Sequence, residues 1–363
     1  MSTVRTLSNA RDPVAPPAGT WRIGLSRGPT QRAVLIDRRT VAANGLLALL
    51  LAAVALASLC LGSVPIAPQA ALRAIFGQGD AMDVFVIQEL RLARVEAALL
   101  TGAAFSLAGC LTQTLARNRL ATPGIIGIDN GATAFAVATV TGVSAHFAPA
   151  VMALAGAATA TAVTFSLAGG IGTRGYRFIV AGLGVGAAFR AVTHLMLARA
   201  PIDDANAAYA WTVGSLNAPE AGSIALLAAG LVVGMVAALM LARSLAVLRF
   251  SDATAQTLGI NVRGCRLAAL AIAVVLSALA VAVAGPVALV ALMGPEIARH
   301  LSSHRGVPLV GAALAGAAIM TAADLAGRLL LAPIEIPVGL VTAVVGGPFL
   351  LWILLRPGHR IAP

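Results

Sequence analysis

The sequence predicts an all-α polytopic membrane protein with about ten transmembrane helices. Hydrophobic residues occupy 59% of the 363 positions and charged residues only 11%, and the mean hydropathy is +0.91. A chain so poor in charge cannot cover a folded core with polar surface in water. Its apolar residues are also gathered into long runs, several of which have the length that crosses a bilayer.

The ten runs are separated by short segments that carry most of the charge. The third and eighth are near the lower length limit for a membrane span, so we expect them to be tilted or broken. The runs lie at about 41–63, 92–114, 123–141, 147–170, 177–199, 222–246, 265–284, 286–303, 307–327 and 336–356.

Residues 1–40 precede the first apolar run and include seven arginines, two aspartates and four prolines. They show no helical periodicity, which predicts a flexible basic tail. Residues 41–357 then form a single transmembrane domain, and residues 358–363 form a second short tail.

The distribution of arginine predicts the orientation. The net charge of +11 could indicate a nucleic-acid partner, but most arginines lie in the tails or at the ends of apolar runs. With the N-terminus inside, nineteen arginines fall on the inner side and five on the outer side. This asymmetry predicts cytoplasmic termini and a multi-pass membrane protein, surrounded by lipid and without nucleic acid.

Two loops on the predicted outer side, residues 64–90 and 200–221, are long enough to fold. The segments 92–199 and 265–356 each contain four apolar runs and enter the membrane from opposite sides. They could therefore be inverted repeats, with runs two to five matching runs seven to ten.

All 25 basic residues of the Lys+Arg count are arginine, and this absence of lysine excludes some chemistry. A P-loop needs its lysine on the nucleotide phosphates, and a Schiff-base enzyme needs one as nucleophile. If ATP drives this protein, a separate chain hydrolyses it.

The three cysteines, Cys60, Cys110 and Cys265, share no metal-ligand spacing and indicate core positions, so we predict no metal site and no cofactor.

Small residues are frequent in the second run, where they would let helix backbones approach closely within a bundle. They are Gly102, Ala103, Ala104, Ala108 and Gly109. The run begins after two arginines three residues apart and ends at a basic turn, Arg117-Asn118-Arg119.

Two blocks of sequence resemble a known family. The first contains RLAR at 91–94, GAAFSLAG at 102–109 and RNRLATPGIIG at 117–127. The second contains AGPVALVALMGPEIAR at 284–299 and ADLAGRLLLAPIEIPVGLVTAVVGGPF at 323–349. These resemble the FecCD-type permeases of type II ABC importers for iron-siderophore complexes and vitamin B12, most of all the ferric enterobactin type. The chain departs from the family pattern at Ala93 and Arg119, which replace prolines, and at Glu296, which replaces a histidine.

The resemblance implies a transport subunit of the bacterial inner membrane, not an enzyme. Two permease chains, identical or related, would form the pathway, with two ATPase subunits on the cytoplasmic side and a solute-binding protein on the other. The substrate would be a ferric siderophore, moved by alternating access. Vitamin B12 or haem is the alternative within the family. A proton-coupled secondary transporter using Asp129, Arg190, Glu296 and Asp324 is the alternative from another class.

The inner loop 247–266 contains a short segment that Ser251 or Asp252 can cap and Gly259 can end, which predicts a two-turn helix on the cytoplasmic face. A plain connector is one interpretation. The resemblance implies a segment that docks into the ATPase, matched by Asp252, Ala255, Leu258 and Gly259.

Three arginines, Arg91, Arg94 and Arg328, fall at the predicted outer surface. They could be helix-end charges that extend to the interface. The resemblance implies instead that they pair with glutamates of a binding protein and orient its docking.

Arg190 and His194 lie one helical turn apart in the fifth run. Ionisable groups inside a membrane are costly, which favours a position on the translocation pathway. A buried pair held by neighbouring helices is the equal alternative.

Residues 172–176 connect the fourth and fifth runs and lie at the predicted cytoplasmic end of the pathway. The resemblance implies a cytoplasmic gate there, with Gly175 and Tyr176 as candidates and Asn118 as a weaker one. An ordinary tight loop is the simpler interpretation. For Glu296 and Asp324 we expect structural roles, bonded to helix ends or nearby polar groups.

Overall fold

The computed structural model describes residues 19–24, 33–143, 147–169, 176–217, 219–302 and 306–355. Within these residues the chain is a bundle of α-helices, and it is a polytopic membrane protein as the sequence predicts. Ten helices coincide with the ten predicted apolar runs. They are α1 (Arg38–Cys60), α4 (Ala93–Ala116), α5 (Ile128–Val140), α6 (Pro149–Ala168), α7 (Tyr176–Arg199), α9 (Ala221–Val247), α11 (Val262–Ala284), α12 (Val290–Leu301), α13 (Leu309–Leu329) and α14 (Val338–Leu355).

The remaining helices are short and lie in the loops. The first long outer loop folds as α2 (Pro68–Ile75) and α3 (Ala81–Phe85), and a π-helical turn, Val86–Leu92, joins α3 to α4. The second folds as α8 (Ile202–Val213), while the inner loop contains α10 (Asp252–Thr257). A 3-10 turn, Pro123–Ile126, precedes α5.

Seven of the helical segments in the described residues are long and apolar enough to cross a membrane on their own. The helices α5 and α12, of 13 and 12 residues, are too short to do so. They correspond to the third and eighth runs, so the expectation of broken spans is confirmed. Each is preceded by irregular backbone, which is tolerated at membrane depth only where protein or a polar cavity surrounds it.

A β-hairpin lies inside the segment predicted to be a flexible tail. Strands β1 (Thr20–Gly24) and β2 (Ala33–Asp37) pair antiparallel, with Thr20 opposite Asp37. Trp21 lies against the Arg38 guanidinium, 5.3 Å from the ring centre, so the hairpin abuts the start of α1. In TWRIG the apolar residues Trp21 and Ile23 alternate with polar or small ones, and AVLID is a short apolar run. Both patterns are typical of strands, and a search for helical periodicity alone overlooks them.

The central helix of the bundle is α4, and most of its side chains are buried. Gly102 lies against the Gly316 carbonyl of α13, and Gly109 lies against the Ala291 carbonyl of α12, so neither position has room for a Cβ. The small residues of this run therefore permit close helix approach, as predicted. Phe105 of the same helix is buried, at 1% exposure.

Helix contacts repeat between the two halves of the chain. Helix α4 packs on α13, and α11 packs on α6; helix α5 packs on α6, and α12 packs on α13. The first helices of the two halves, α4 and α11, also pack on each other. This is the contact pattern expected of two four-helix units related by a pseudo-two-fold axis near α4 and α11, and it supports the inverted repeat.

Candidate functional site

A cavity of about 840 Å³ lies between α5, α7 and α8. Its walls also include the turn before α5 and the segment that follows α11. Hydroxyl, amide and charged side chains face it alongside small apolar ones. The polar members of the lining are Thr122, Asp129, Asn130, Thr133, Arg190, Thr193, His194, Tyr209 and Thr212.

Arg190 and His194 both line this cavity, and both side chains are exposed in the single chain. Arg190 Nε donates to Asn130 Oδ1 at 3.3 Å, which holds the guanidinium towards α5. A pair buried between helices is therefore not what the described residues form. The arginine charge lies where a solute in the cavity could meet it.

The glycines of α7 serve close packing at the inner part of the same face. Gly182 lies against the Ile125 carbonyl, and Gly127 approaches the backbone of Gly182 and Gly186. Gly127 has φ +84°, a conformation that side chains disfavour. These contacts fix the 3-10 turn against α7, so that the backbone of the turn forms part of the cavity wall.

Asp129 also lines the cavity and is otherwise buried, at 8% exposure. Its carboxylate Oδ1 lies 3.5 Å from the Ser277 hydroxyl of α11. The sequence left the role of this residue open. Its position places an acidic group and the Arg190 cation in the walls of one cavity.

The inner loop forms the predicted capped helix. Ser251 Oγ accepts from the Thr254 backbone N–H at 3.0 Å at the N-terminus of α10. Gly259, at φ +77°, ends the segment in the left-handed conformation that glycine adopts readily. Ala255 is fully buried against the bundle, whereas the Leu258 side chain is exposed, at 63%.

Asp252 fixes this helix to two others. Its Oδ1 accepts from Arg117 Nη2 at 2.8 Å and from Arg266 Nη2 at 2.7 Å, and Arg266 Nη1 reaches Oδ2 at 3.2 Å. Arg117 also donates to the Leu248 carbonyl at 3.0 Å. Of the residues that match the family's coupling segment, Asp252 and Ala255 hold the helix in place, and Leu258 is the exposed one. Sequence reasoning missed both arginine partners, whose signal was only their basic charge next to the loop.

At the opposite end of the bundle, two arginines share one buried carboxylate. Arg94 Nε donates to Asp324 Oδ1 at 2.9 Å, and Arg328 Nε donates to Asp324 Oδ2 at 3.2 Å. Arg94 Nη1 also donates to Glu335 Oε2 at 2.8 Å, and Glu335 is the exposed member of the group, with 47% of its side chain accessible. Asp324 is thus bonded to nearby polar groups, as expected.

Arg91 does not present a surface charge, which corrects its predicted place in docking. Only 7% of the residue is exposed, and its guanidinium donates to the Leu59 carbonyl at 2.6 Å and to the Val64 carbonyl. Arg328 donates similarly to the Ser58 and Leu61 carbonyls. The last carbonyls of a helix lack intrahelical partners, so these two arginines cap the end of α1.

Glu296 is nearly fully buried, at 1% exposure, and is surrounded by basic groups. Its carboxylate accepts from Arg299 Nη1 at 2.7 Å and from Arg119 Nη1 at 3.2 Å, and His300 Nδ1 lies 3.5 Å away. Arg299 also donates to the Gln113 side chain of α4. Glu296 is thus bonded to nearby polar groups, as expected.

The candidate gate residues are only partly described. Gly175 lies outside the described residues, and Tyr176 begins α7 with its side chain also outside them. Asn118 Oδ1 accepts from the Leu120 backbone N–H at 2.9 Å and does not line the cavity. The gate assignment stays a prediction.

The described residues contain no group of three or more histidine, cysteine or acidic side chains placed to hold a metal ion. The three cysteines are buried and separate from one another, as their spacing predicts.

These features define a class of protein: a many-helix membrane protein with a polar cavity and a short helix that exposes a leucine at one end. Residues 49–356 match the FecCD transport family, and the chain belongs to that family. It is 34% identical to the achromobactin transport system permease protein of Dickeya dadantii (strain 3937), over 89% of this chain and 94% of that protein. It is 33% identical to the ferric enterobactin transport system permease protein of Escherichia coli (strain K12), over 82% of this chain and 91% of that protein.

A solved inward-facing structure of a metal-chelate type ABC transporter has the same fold, with a TM-score of 0.75. The two chains are 22% identical, and the match covers 87% of this chain and 99% of the other. This likeness supports the fold alone.

Proposed function

We propose that this chain is the membrane permease subunit of an ATP-driven importer that moves a ferric siderophore across the bacterial inner membrane into the cytoplasm. The observation that carries the proposal is the polar cavity with Arg190 on its wall, inside a fold whose relatives are permeases for achromobactin and ferric enterobactin. Many ferric siderophore complexes are anionic oxygen-ligand chelates. A single arginine charge among hydroxyl and amide groups suits such a solute.

The energy comes from separate ATPase subunits, two of them in the assembly. The chain has no lysine for a P-loop, while α10 offers an exposed leucine at the predicted cytoplasmic end. Leu258 would enter a groove on the ATPase, and Asp252 would transmit the force to α4 and α11. Because Asp252 is bonded to Arg117, at the end of α4, and to Arg266 of α11, a movement of α10 would be passed to both helices.

A second permease chain closes the cavity. On α7 the side chains that flank the polar face are apolar and exposed, among them Leu183, Val192 and Leu195. Lipid would serve for an apolar face, but it cannot cover the exposed Arg190 beside them. A second copy of this chain, or a related permease, would provide the missing polar wall. Alternating access then needs no cofactor in this chain.

A solute-binding protein docks at the other end, where Arg94 and Arg328 lie. Both guanidiniums already contact Asp324, and Arg94 also contacts Glu335. A partner carboxylate would therefore approach Arg94 in competition with Glu335. Such charge pairs orient an encounter and raise its rate more than they add affinity.

The test is uptake into proteoliposomes that contain the permease with its ATPase. We expect uptake of a ferric siderophore only when ATP and the binding protein are both supplied. Uptake by the permease alone, driven by a proton gradient, would overturn the proposal and support a secondary transporter. Uptake of vitamin B12 or haem and of no ferric siderophore would keep the importer and change the substrate.

A further inference from the structure

The basic turn at residues 117–119 joins two parts of the chain that transport must connect. On one side Arg117 contacts Asp252 of α10 at 2.8 Å. On the other side Arg119 contacts Glu296 of α12 at 3.2 Å. The turn thus lies between the helix proposed to meet the ATPase and a short, broken membrane helix.

The same turn leads directly into the cavity wall. Thr122, Gly124 and Ile125, which follow it within six residues, all line the cavity. The 3-10 turn that contains Gly124 and Ile125 is packed backbone to backbone against α7. A displacement of the basic turn therefore changes the cavity, because little chain separates the two.

The contact between Arg119 and Glu296 can open at a small cost. Arg119 is 60% exposed on its side chain, so water can solvate it when it leaves. Glu296 is buried, but Arg299 and His300 remain within reach of its carboxylate. Opening the contact leaves no isolated buried charge, which is the costly outcome for an ion pair.

We propose that Arg119 and Glu296 are positioning residues for transport, which anchor the inner end of the cavity wall to α12 until α10 is moved by the ATPase. In this arrangement Arg117 transmits the movement of α10 to the basic turn. The contact between Arg119 and Glu296 limits how far the cavity wall moves with that turn. This inference rests on the proposed function.

The experiment compares Arg119→Gln, Arg119→Lys, Glu296→Gln and the Arg119→Gln/Glu296→Gln double variant in the reconstituted complex. Two quantities are measured in each: ATP hydrolysis, and the solute imported per ATP hydrolysed. We expect Arg119→Gln and Glu296→Gln each to lower the import per ATP several-fold while hydrolysis continues, and Arg119→Lys to restore most of it. The double variant should be no worse than the worse single variant, because both remove one contact.

Arg243→Gln is the matched control, since Arg243 is an exposed arginine of α9 towards the same predicted end of the bundle. Its import per ATP should equal that of the unaltered protein. An unchanged ratio in Arg119→Gln, or losses that add in the double variant, would overturn the inference. If the unaltered complex shows no ATP-dependent import, the proposed function itself fails. This result differs from those that would overturn only the inference about Arg119 and Glu296. Intact assembly of each variant, checked by gel filtration with the ATPase, separates a transport defect from misfolding.

Discussion

The exposed leucine of α10 gives the sharpest prediction, because its contribution can be worked from the structure. Complete burial of a leucine side chain stabilises by about 1.5–3 kcal/mol. With 63% of Leu258 exposed, its burial in an ATPase groove can contribute about 1–2 kcal/mol. Leu258→Ala should therefore weaken association with the ATPase about 5- to 25-fold.

Leu258→Asp should do more, because it places a carboxylate where an apolar side chain would be buried. An unpaired buried charge costs several kcal/mol, which adds to the lost apolar contact. We expect the ATPase to dissociate during purification while the permease still inserts into the membrane. The free energy of unfolding of the permease alone should change little, since Leu258 faces away from the bundle.

The assay is co-purification of the ATPase with tagged permease, followed by titration of the ATPase onto the permease in detergent. Leu330→Asp is the control, because Leu330 is similarly exposed, at 67%, but lies beyond α13 at the other end of the bundle. That variant should retain the ATPase. Normal association and transport by Leu258→Asp would refute the coupling role of α10.

Three further outcomes follow from the clusters described above. Charge reversal at Arg94 and Arg328 should weaken binding of the solute-binding protein and flatten its salt dependence, whereas Glu335→Gln should free Arg94 and strengthen that binding a few-fold, as measured by surface plasmon resonance. Arg190→Gln should lower uptake of an anionic ferric catecholate more than uptake of a neutral ferric hydroxamate, measured with radioactive iron if both are substrates. Asp252→Asn should weaken ATPase association several-fold, seen by the same titration, because α10 loses its charged contacts with two helices.

Each of these outcomes has a result that would contradict it. An unchanged salt slope would leave Arg94 and Arg328 as structural charges at a helix end. Equal losses of uptake for both iron complexes would show that the charge of Arg190 does not determine which complex is transported. For the cavity itself, Arg190→Cys in a background without native cysteines should react with water-soluble thiol reagents in at least one nucleotide state. A lack of reaction in every state would place the side chain between helices.

The fold was predictable because it depends on properties that are local in sequence. Apolar runs and their lengths identify the helices, and even the short α5 and α12 follow from runs of marginal length. The β-hairpin was missed because each strand has only five residues, too few to establish a period. The polar face of α7 could also be predicted from local sequence, since Arg190 and His194 are one helical turn apart.

Contacts between distant residues were not predictable in this way. Asp129 and Ser277 are 148 residues apart, and nothing near either one identifies the other. Arg91 is a second example of a contact that the sequence could not predict. Its position at a helix end follows from the sequence, but the direction of its side chain depends on the free carbonyls at the end of α1, which only the packing brings near.

Three carboxylates, Asp252, Glu296 and Asp324, share one arrangement: each accepts from two arginines. For Glu296 and Asp324, one arginine comes from the same helix, three or four residues later, and the other from a different element. The intrahelical partner keeps the buried carboxylate compensated whatever the other does. The second arginine can then be exchanged as elements move, or be taken by a partner, without the penalty of an isolated buried charge. Paired arginines thus allow a membrane bundle with few charges to hold acidic groups at the contacts between its elements.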